Sequence, residues 1–352
     1  MSTILFPSPA IPDPPRTELD LESLLSAPTP EVTEVLSALS GDLVILGGGG
    51  KVGPTLAMMA ARAIRAAGSK GRVVSVSRWG DAEARARVEA AGVRTISADL
   101  SDPASYSKLP EAAALIFLAG QKFGTSGNES ATWWANAVVP ALASHRYRGV
   151  PTVAYSTGNI YAFRNTRTGG SAEADLISPV GAYAQSCLAR EEVFRHASTM
   201  WRTPTTLFRL NYAVELRYGV LVDIALKVAS GSPIDVTMPA VNVVWQGDSN
   251  AWTLRALGLC STPARALNIT GPETVAVRRI AAIIGERLGV RPTLTGAESD
   301  DALLSDAGPC HALFGYPTVP LHVAIQWTAD WVAAGGPTWG KSTKFEQREG
   351  RF

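Results

Sequence analysis

The sequence contains few cysteines, and their placement excludes the sites that cysteines most often build. Its 352 residues include only three of them, Cys187, Cys260 and Cys310. They lie far apart and fit neither a zinc-ligating spacing nor a disulfide framework, which favours a reducing compartment. We therefore expect a cytoplasmic protein. The four histidines show no metal-ligand spacing either, so we expect no catalytic metal.

The sequence also lacks a long hydrophobic run and a surplus of charge of either sign. No apolar stretch approaches the ~20 residues that span a bilayer, and the first residues lack the basic region and apolar core of a signal peptide. We expect no membrane partner. The 32 basic and 31 acidic residues give a net charge of +1. No basic run is interleaved with aromatic residues, which argues against a nucleic-acid partner.

Glycine, in contrast, is concentrated in a motif directly after the first strand-like segment. Four apolar residues, Leu43–Leu46, are followed by Gly47, Gly50 and Gly53, and a helical pattern begins at about Pro54. Glycines at this spacing permit a tight turn, a close approach of a diphosphate to the backbone, and close packing of helix on strand. The free N–H groups of the helix N-terminus attract phosphate. The motif predicts dinucleotide binding, with contacts at Gly47, Gly50, Lys51, Val52 and Gly53.

Strand-like and helix-like segments alternate after this motif. This alternation predicts an α/β protein: a Rossmann-type doubly wound parallel sheet with helices on both faces and a smaller C-terminal α/β substrate domain. We expect one continuous helix at 129–146. The predicted divisions are an N-terminal arm with short helices (1–40), an NAD(P)-binding domain (41–211), a substrate-binding domain (212–335) and a C-terminal tail (336–352) that wraps over the surface.

The end of the second predicted strand bears on the choice of cofactor. A carboxylate there would accept a hydrogen bond from a ribose 2′-hydroxyl and select NAD. The sequence reads Ser75-Val-Ser77-Arg78-Trp79, with no acidic residue before Asp81. Arg78 is suited to pairing with a 2′-phosphate, and Ser77 to hydrogen-bonding it. We expect NADP or NAD, with NADP favoured; an arginine that stacks on adenine would suit either.

A second group of motifs lies further along the chain. The strand-like segment 152–156 is followed by Thr157, and Tyr183 comes twenty-six positions later at the start of a helix. With the glycine motif, these residues resemble the extended short-chain dehydrogenase/reductase family, which includes nucleotide-sugar epimerases and dehydratases. The resemblance covers about 41–335. Its further motifs are Asp99-Leu100, Ala119-Gly120, Asn136, Arg209-Leu-Asn211, Trp245-Gln-Gly-Asp248 and Leu267-Asn-Ile-Thr-Gly-Pro-Glu.

The resemblance implies a catalytic role for the hydroxyl pair. In that family the tyrosine is the acid or base, the serine or threonine hydrogen-bonds the reacting oxygen, and a lysine four residues later lowers the tyrosine pKa. Tyr183 and Thr157 match the first two, but Cys187 stands in place of the lysine. A free phenol titrates near ~10 and is a poor base at neutral pH. Lys122, after the fourth strand, is a candidate for the missing charge, as is the oxidised nicotinamide itself.

The resemblance also extends the predicted cofactor and substrate sites. Further cofactor contacts are expected at Asp99, Leu100, Ala119, Gly120, Lys122, Asn136 and Tyr183. The expected substrate is a small molecule, a sugar derivative. Its predicted contacts are Asn159, Asn211, Glu215 and Arg217, and Arg217 is suited to clamping a carboxylate or phosphate. Asp248 matches a position that is more often structural. The helix at 129–146, in which we expect Trp133 and Trp134 to pack, implies a homodimer.

These inferences lead to one principal function and two alternatives. The principal hypothesis is an NAD(P)-dependent sugar or nucleotide-sugar epimerase, dehydratase or dehydrogenase that transfers a hydride at a hydroxyl-bearing carbon. The first alternative is a non-catalytic NAD(P)-binding sensor or scaffold, favoured by the lost lysine. The second is a reductase of non-sugar carbonyls, which a mainly apolar pocket around Tyr218 and Trp245 would favour.

Overall fold

A computed structural model describes residues 11–124 and 127–352 of the chain. The first ten residues of the predicted N-terminal arm lie outside the described part. Within that part, no helix is both long enough and apolar enough to cross a membrane.

The described chain forms helices and strands in alternation. The helices are α1 (Glu18–Leu25), α2 (Pro30–Ser37), α3 (Gly53–Ala66), α4 (Ala82–Ala90), α5 (Glu129–Trp133), α6 (Val139–Arg146), α7 (Gly181–Trp201), α8 (Val220–Ser230), α9 (Gln246–Arg255), α10 (Val277–Leu288), α11 (Gly308–Phe314) and α12 (Leu321–Ala333). The strands are β1 (Leu43–Leu46), β2 (Val73–Ser77), β3 (Arg94–Ser97), β4 (Ala114–Phe117), β5 (Thr152–Thr157), β6 (Arg164–Asn165), β7 (Thr205–Leu210), β8 (Ala213–Val214), β9 (Ile234–Asp235), β10 (Ala240–Val241), β11 (Val244–Trp245), β12 (Arg265–Ile269), β13 (Val275–Ala276), β14 (Leu294–Thr295) and β15 (Asp301–Ala302).

Seven strands form one central parallel sheet, in the order β12-β7-β5-β4-β1-β2-β3. On one side of the β1–β4 pair the strands follow in chain order as β2 and β3, and on the other side as β5, β7 and β12. The β1–β4 pair is therefore the topological switch point of the sheet. The predicted doubly wound parallel sheet is therefore confirmed. Ligands in such sheets bind beyond the carboxyl ends of the strands at this point.

The sheet is buried on both faces because its central strands are apolar throughout. On one face Leu43 and Ile45 pack with the buried side of α3, including Leu56. On the other face Val44 and Leu46 join a second cluster that includes residues of α6 and α7. Parallel strands covered on both sides have no polar face, which explains the continuous apolar run of β1.

The C-terminal third has its own core. The helices α8, α10 and α12 pack against one another around a third apolar cluster. The first helix, α1, contributes Leu21 and Leu25 to this cluster, while α2 packs on α3 through Val32 and Leu36. Thr29 caps α2 and Pro30 is at its first turn. The two short N-terminal helices thus join different halves of the molecule.

Two segments differ from the sequence prediction. The helix expected at 129–146 is interrupted by a π-helical turn, Trp134–Val138, between α5 and α6; such turns are common at functional sites. The segment 336–352 does not simply wrap over the surface, because Phe345 and Phe352 are only 1% and 4% exposed. The predicted domain limits themselves stay predictions.

Candidate functional site

A crevice runs along the carboxyl ends of the central strands. It consists of two adjoining cavities of about 660 Å³ and 390 Å³, which share Gly50, Leu118, Gly120 and Gln121 in their walls. The larger cavity extends over β2 and β3, and the smaller one over β5 and β7. The glycine turn therefore lies where the two cavities meet.

The glycines of the turn are required for two different reasons. A Cβ added to Gly47, whose φ is +88°, would lie 2.6 Å from the backbone nitrogen of Ala119. One added to Gly53 would lie 2.3 Å from the carbonyl oxygen of Gly48. At Gly50 the nearest atom would be the Gly47 carbonyl oxygen at 3.4 Å, so the protein itself has room for a side chain there. The space above Gly50 opens into the crevice, which fits the close approach of a diphosphate.

The larger cavity has the side chains expected at the adenosine end of a dinucleotide. Ser77, Arg78, Asp99, Leu100, Ala119 and Gly120 all line it. The Asp99 carboxylate accepts hydrogen bonds from the Ser101 hydroxyl (2.7 Å) and backbone N–H (2.9 Å). These bonds hold the pKa of Asp99 below its usual value, so the carboxylate is charged. Trp134, on the π-helical turn, donates its indole N–H to the Ser101 carbonyl and lines the same cavity.

Asn136, also on the π-helical turn, fixes the loop that follows β4. Its amide donates to the Gln121 carbonyl and accepts from the Gln121 N–H, each at 2.9 Å. It also donates to the Ser186 hydroxyl at 3.0 Å. Because Asn136 is fully buried and makes all these bonds, it holds the strand end next to Lys122 in a fixed position.

The smaller cavity brings together Thr157, Tyr183 and Asn159. Thr157 donates its hydroxyl hydrogen to the Asn159 amide oxygen at 3.0 Å. Burial raises the pKa of the Tyr183 phenol far above its ordinary value. The neighbouring Cys187 thiol adds to this rise, whereas Arg190 and a hydrogen bond with Thr157 oppose it. Cys187 therefore supplies none of the charge that a lysine would bring to this position.

Arg190 is a charged residue of the site that the sequence motifs did not indicate. It lies one helical turn after Cys187 on α7 and is 6% exposed. Its guanidinium donates to the Asn136 amide oxygen and, at 3.0 Å, to the Tyr155 carbonyl. A Cβ at Gly120 would lie 2.2 Å from Arg190 Nη2, so Gly120 makes room for the guanidinium, and it also lines both cavities. The available signal was an arginine three residues after Cys187, on the helix face of Tyr183.

Two lysines also line the smaller cavity. The Nζ of Lys122 lies 5.7 Å from the centroid of the Tyr183 ring, and burial lowers the pKa of Lys122 to about 8. The Nζ of Lys51 lies 3.2 Å from the centroid of the Tyr218 ring. Burial, followed by the charge of Lys122, lowers the pKa of Lys51 to about 7. The structure thus brings Lys122 near Tyr183, and its role as the source of the missing charge stays a prediction.

The four predicted substrate residues separate into two groups. Asn159 and Asn211 line the smaller cavity. Glu215 and Arg217 do not: they form a buried ion pair, with Arg217 Nε 3.1 Å from a Glu215 oxygen. Arg217 also pairs with Glu22 on α1 at 3.2 Å. These charges are satisfied within the protein, which removes them from the candidate substrate site.

The segment around β11 is structural. Asp248 accepts hydrogen bonds from the backbone N–H and hydroxyl of Thr318, at 2.9 Å and 2.7 Å. Trp245 packs its ring against Trp327 in the third cluster. Tyr218 therefore lines the smaller cavity without Trp245. Across 11–124 and 127–352, no group of three or more His, Cys, Asp or Glu side chains is placed to hold a metal ion.

Comparisons with known proteins identify the fold. No protein-family model and no curated protein sequence matches the chain. Among solved structures, MoeE5 in complex with UDP-glucose and NAD is 17% identical with a TM-score of 0.68, covering 84% of this chain and 99% of that one. A UDP-galactose 4-epimerase is 21% identical with a TM-score of 0.67 and the same coverage of both chains.

A third similar structure is UDP-glucuronic acid 4-epimerase from Bacillus cereus, in complex with UDP-glucuronic acid and NAD. It is 16% identical with a TM-score of 0.70, and the match covers 83% of this chain and 98% of that one. The match therefore covers nearly the whole length of each of these three neighbours. The chain has the fold of the extended short-chain dehydrogenases/reductases, the family that its sequence motifs resemble.

Proposed function

We propose that the protein is an NAD(P)-dependent oxidoreductase of the nucleotide-sugar epimerase type, acting at a hydroxyl-bearing carbon of a sugar derivative. The observation that carries this proposal is the position of Tyr183 and Thr157 in a cavity continuous with the glycine turn. A dinucleotide laid across the shared wall at Gly50 would present its nicotinamide to these two hydroxyls. Two of the structural neighbours, MoeE5 and the UDP-glucuronic acid 4-epimerase, were crystallised with NAD and a UDP-sugar, which supports the same assignment.

Tyr183 and Thr157 have different roles in the proposed reaction. Tyr183 takes the proton from the substrate hydroxyl or returns it, and Thr157 hydrogen-bonds the reacting oxygen. A bound nicotinamide supplies hydride acceptance and return. Because burial raises the pKa of Tyr183, its deprotonation at neutral pH requires nearby positive charge. The Arg190 guanidinium lies in the wall of the smaller cavity, and the Lys122 Nζ lies 5.7 Å from the centroid of the tyrosine ring, so these two groups are the sources of that charge.

The walls of the larger cavity favour NADP. Ser77 and Arg78 line its adenosine end, and the end of β2 has no acidic residue to accept from a 2′-hydroxyl. Asp99 lies further along the same wall and is engaged by Ser101. We therefore infer that a 2′-phosphate is accommodated beside Arg78, although MoeE5 and the UDP-glucuronic acid 4-epimerase contain NAD.

A non-catalytic NAD(P)-binding protein is the second candidate, favoured by Cys187 in the position of the family lysine. One experiment separates the two. Purified protein is incubated with cofactor and UDP-glucose, UDP-galactose or UDP-glucuronic acid, and products are followed by NMR while the nicotinamide absorbance is recorded. We expect turnover that Tyr183→Phe reduces by at least ~10²-fold. The matched control is Tyr316→Phe, at a side chain that is 72% exposed. Bound cofactor without turnover of any sugar would favour the sensor.

A homodimer is proposed for the surface formed by α5, α6 and α7. An apolar groove of about 720 Å³ lies there, with Trp133 and Trp201 in its wall. Trp133 is 39% exposed, rather than packed within its own helix. Sedimentation of the wild type and of Trp133→Glu tests this: we expect a dimer that the substitution dissociates, and a monomeric wild type would contradict it.

A further inference from the structure

Two ammonium groups face the smaller cavity with no acidic partner. Lys51 follows Gly50 in the glycine turn, and Lys122 follows β4. Both line the cavity together with Tyr183. The Nζ of Lys51 is buried and makes no hydrogen bond. Among the lysines that the structure describes, Lys227 alone has an Asp or Glu partner at ion-pairing distance.

Aromatic rings surround these two cations. Both lysines lie over Phe123, with Nζ-to-centroid distances of 4.4 Å for Lys51 and 5.6 Å for Lys122. Lys51 also lies over Tyr218, and Lys122 is 5.8 Å from the centroid of Tyr212. Ring faces attract a cation, but they replace only part of the hydration that burial removes. Two like charges in one cavity further raise the free-energy cost of keeping both lysines charged.

Asp223, the carboxylate that influences the pKa of both lysines, is not an ion-pair partner of either. Its carboxylate instead accepts hydrogen bonds from the backbone and hydroxyl of Thr343, at 2.7 Å and 2.5 Å. Burial lowers the pKa of both lysines, and among the described residues neither has a carboxylate at ion-pairing distance. An anionic ligand in the cavity would supply the counter-ion and favour the charged form of both lysines.

We propose that Lys51 and Lys122 together bind an anionic oxygen group of the substrate, a carboxylate or a phosphate, on the Tyr183 side of the crevice. This assignment depends on the proposed function, because it deepens the description of the same site. It differs from the glycine turn, where backbone N–H groups at the start of α3 receive the cofactor diphosphate. The two lysines instead bind the substrate, through an anionic group next to Tyr183.

The test uses two probes that differ at one carbon, UDP-glucuronic acid and UDP-glucose. Their affinities for the cofactor-loaded protein are measured by calorimetry, for the wild type and for Lys51→Met and Lys122→Met. Methionine keeps the apolar length of the side chain and removes the charge. Lys108→Met, at an exposed position, is the matched control. Affinity for the cofactor alone is measured for every variant.

Two results support the proposal and identify the source of the anion. If the group is a sugar carboxylate, each lysine variant loses about tenfold in affinity for UDP-glucuronic acid and little for UDP-glucose. If it is a substrate phosphate, both probes weaken by about that factor in each variant. Lys108→Met leaves both affinities unchanged in either case.

Other results overturn it. Unchanged affinity for both probes in both variants would show that the lysines bind no substrate anion. A loss confined to the cofactor would assign the lysines to its diphosphate instead. Since the readout is binding, the proposal stands separately from catalysis: a wild type that binds the probes through these lysines but converts neither would contradict the proposed function alone.

Discussion

The ring of Phe352 packs edge-on against the ring of Tyr183, with centroids 5.3 Å apart and planes inclined at 71°. Phe352 is 4% exposed, and Lys122 Nζ lies 4.8 Å from its centroid. The segment 336–352 therefore covers the tyrosine that we propose as the acid or base. Exclusion of water strengthens the electrostatic interactions of such a site, and it also explains why burial is the first cause of the raised pKa of Tyr183.

Replacing Phe352 by alanine is expected to move the pH dependence of turnover. Water then reaches Tyr183, so its raised pKa falls toward the ordinary value and the tyrosinate forms at lower pH. The alkaline rise of kcat/KM should shift to lower pH in Phe352→Ala. Leu176→Ala, at a side chain that is 82% exposed, serves as the control. An unchanged profile would mean that Phe352 does not determine the solvation of Tyr183.

Arg190 is expected to carry part of the role of the absent lysine. Arg190→Met should lower kcat by about 10²-fold and move the alkaline rise to higher pH, since the guanidinium favours the tyrosinate. Arg190→Lys should retain more activity. Adding Cys187→Lys to Arg190→Met should restore part of the lost rate. Circular dichroism shows whether each variant is folded. A folded Arg190→Met enzyme with a normal pH profile would limit Arg190 to a structural role.

The ion pairs of Arg217 are expected to stabilise the fold and leave substrate binding unaffected. Arg217→Met leaves Glu215 buried without its cation, which costs about 3–5 kcal/mol of unfolding free energy. Urea denaturation measures this loss, and KM of the folded enzyme should be nearly unchanged. A raised KM with unchanged stability would instead indicate that Arg217 contacts the substrate.

Arg78 is expected to discriminate between the two cofactors. Arg78→Ala should weaken NADP by at least about tenfold, because a hydrogen bond to a charged group is lost, and should change NAD affinity much less. Arg94→Ala, exposed on neighbouring β3, is the control. Equal effects on the two dinucleotides would instead indicate that Arg78 stacks on the adenine.

Local sequence patterns were sufficient for the central sheet and the glycine turn. The apolar run of β1 and the steric demands at Gly47 and Gly53 act between neighbouring elements, so they can be read in order along the chain. These features required no knowledge of distant contacts.

The parts that the sequence did not reveal depend on contacts between distant residues. Arg217 meets Glu22 across 195 positions, and a loop arginine gives no local sign of such a partner. Phe352 reaches Tyr183 from a polar segment that resembles a surface tail. The π-helical turn that carries Asn136 has an ordinary helical composition, and Asn136 bonds Gln121 and Ser186, which are 15 and 50 positions away.

Binding of the dinucleotide itself tests the account most directly. Calorimetric titration of the purified protein with NADP and with NAD should show saturable binding of at least one. Gly50→Val should weaken that binding by about tenfold or more, since the new side chain occupies the space left for a diphosphate. Its thermal midpoint should stay near that of the wild type, because the protein leaves room for a Cβ at Gly50. Failure of the wild type to bind either dinucleotide, or full affinity in Gly50→Val, would contradict the account.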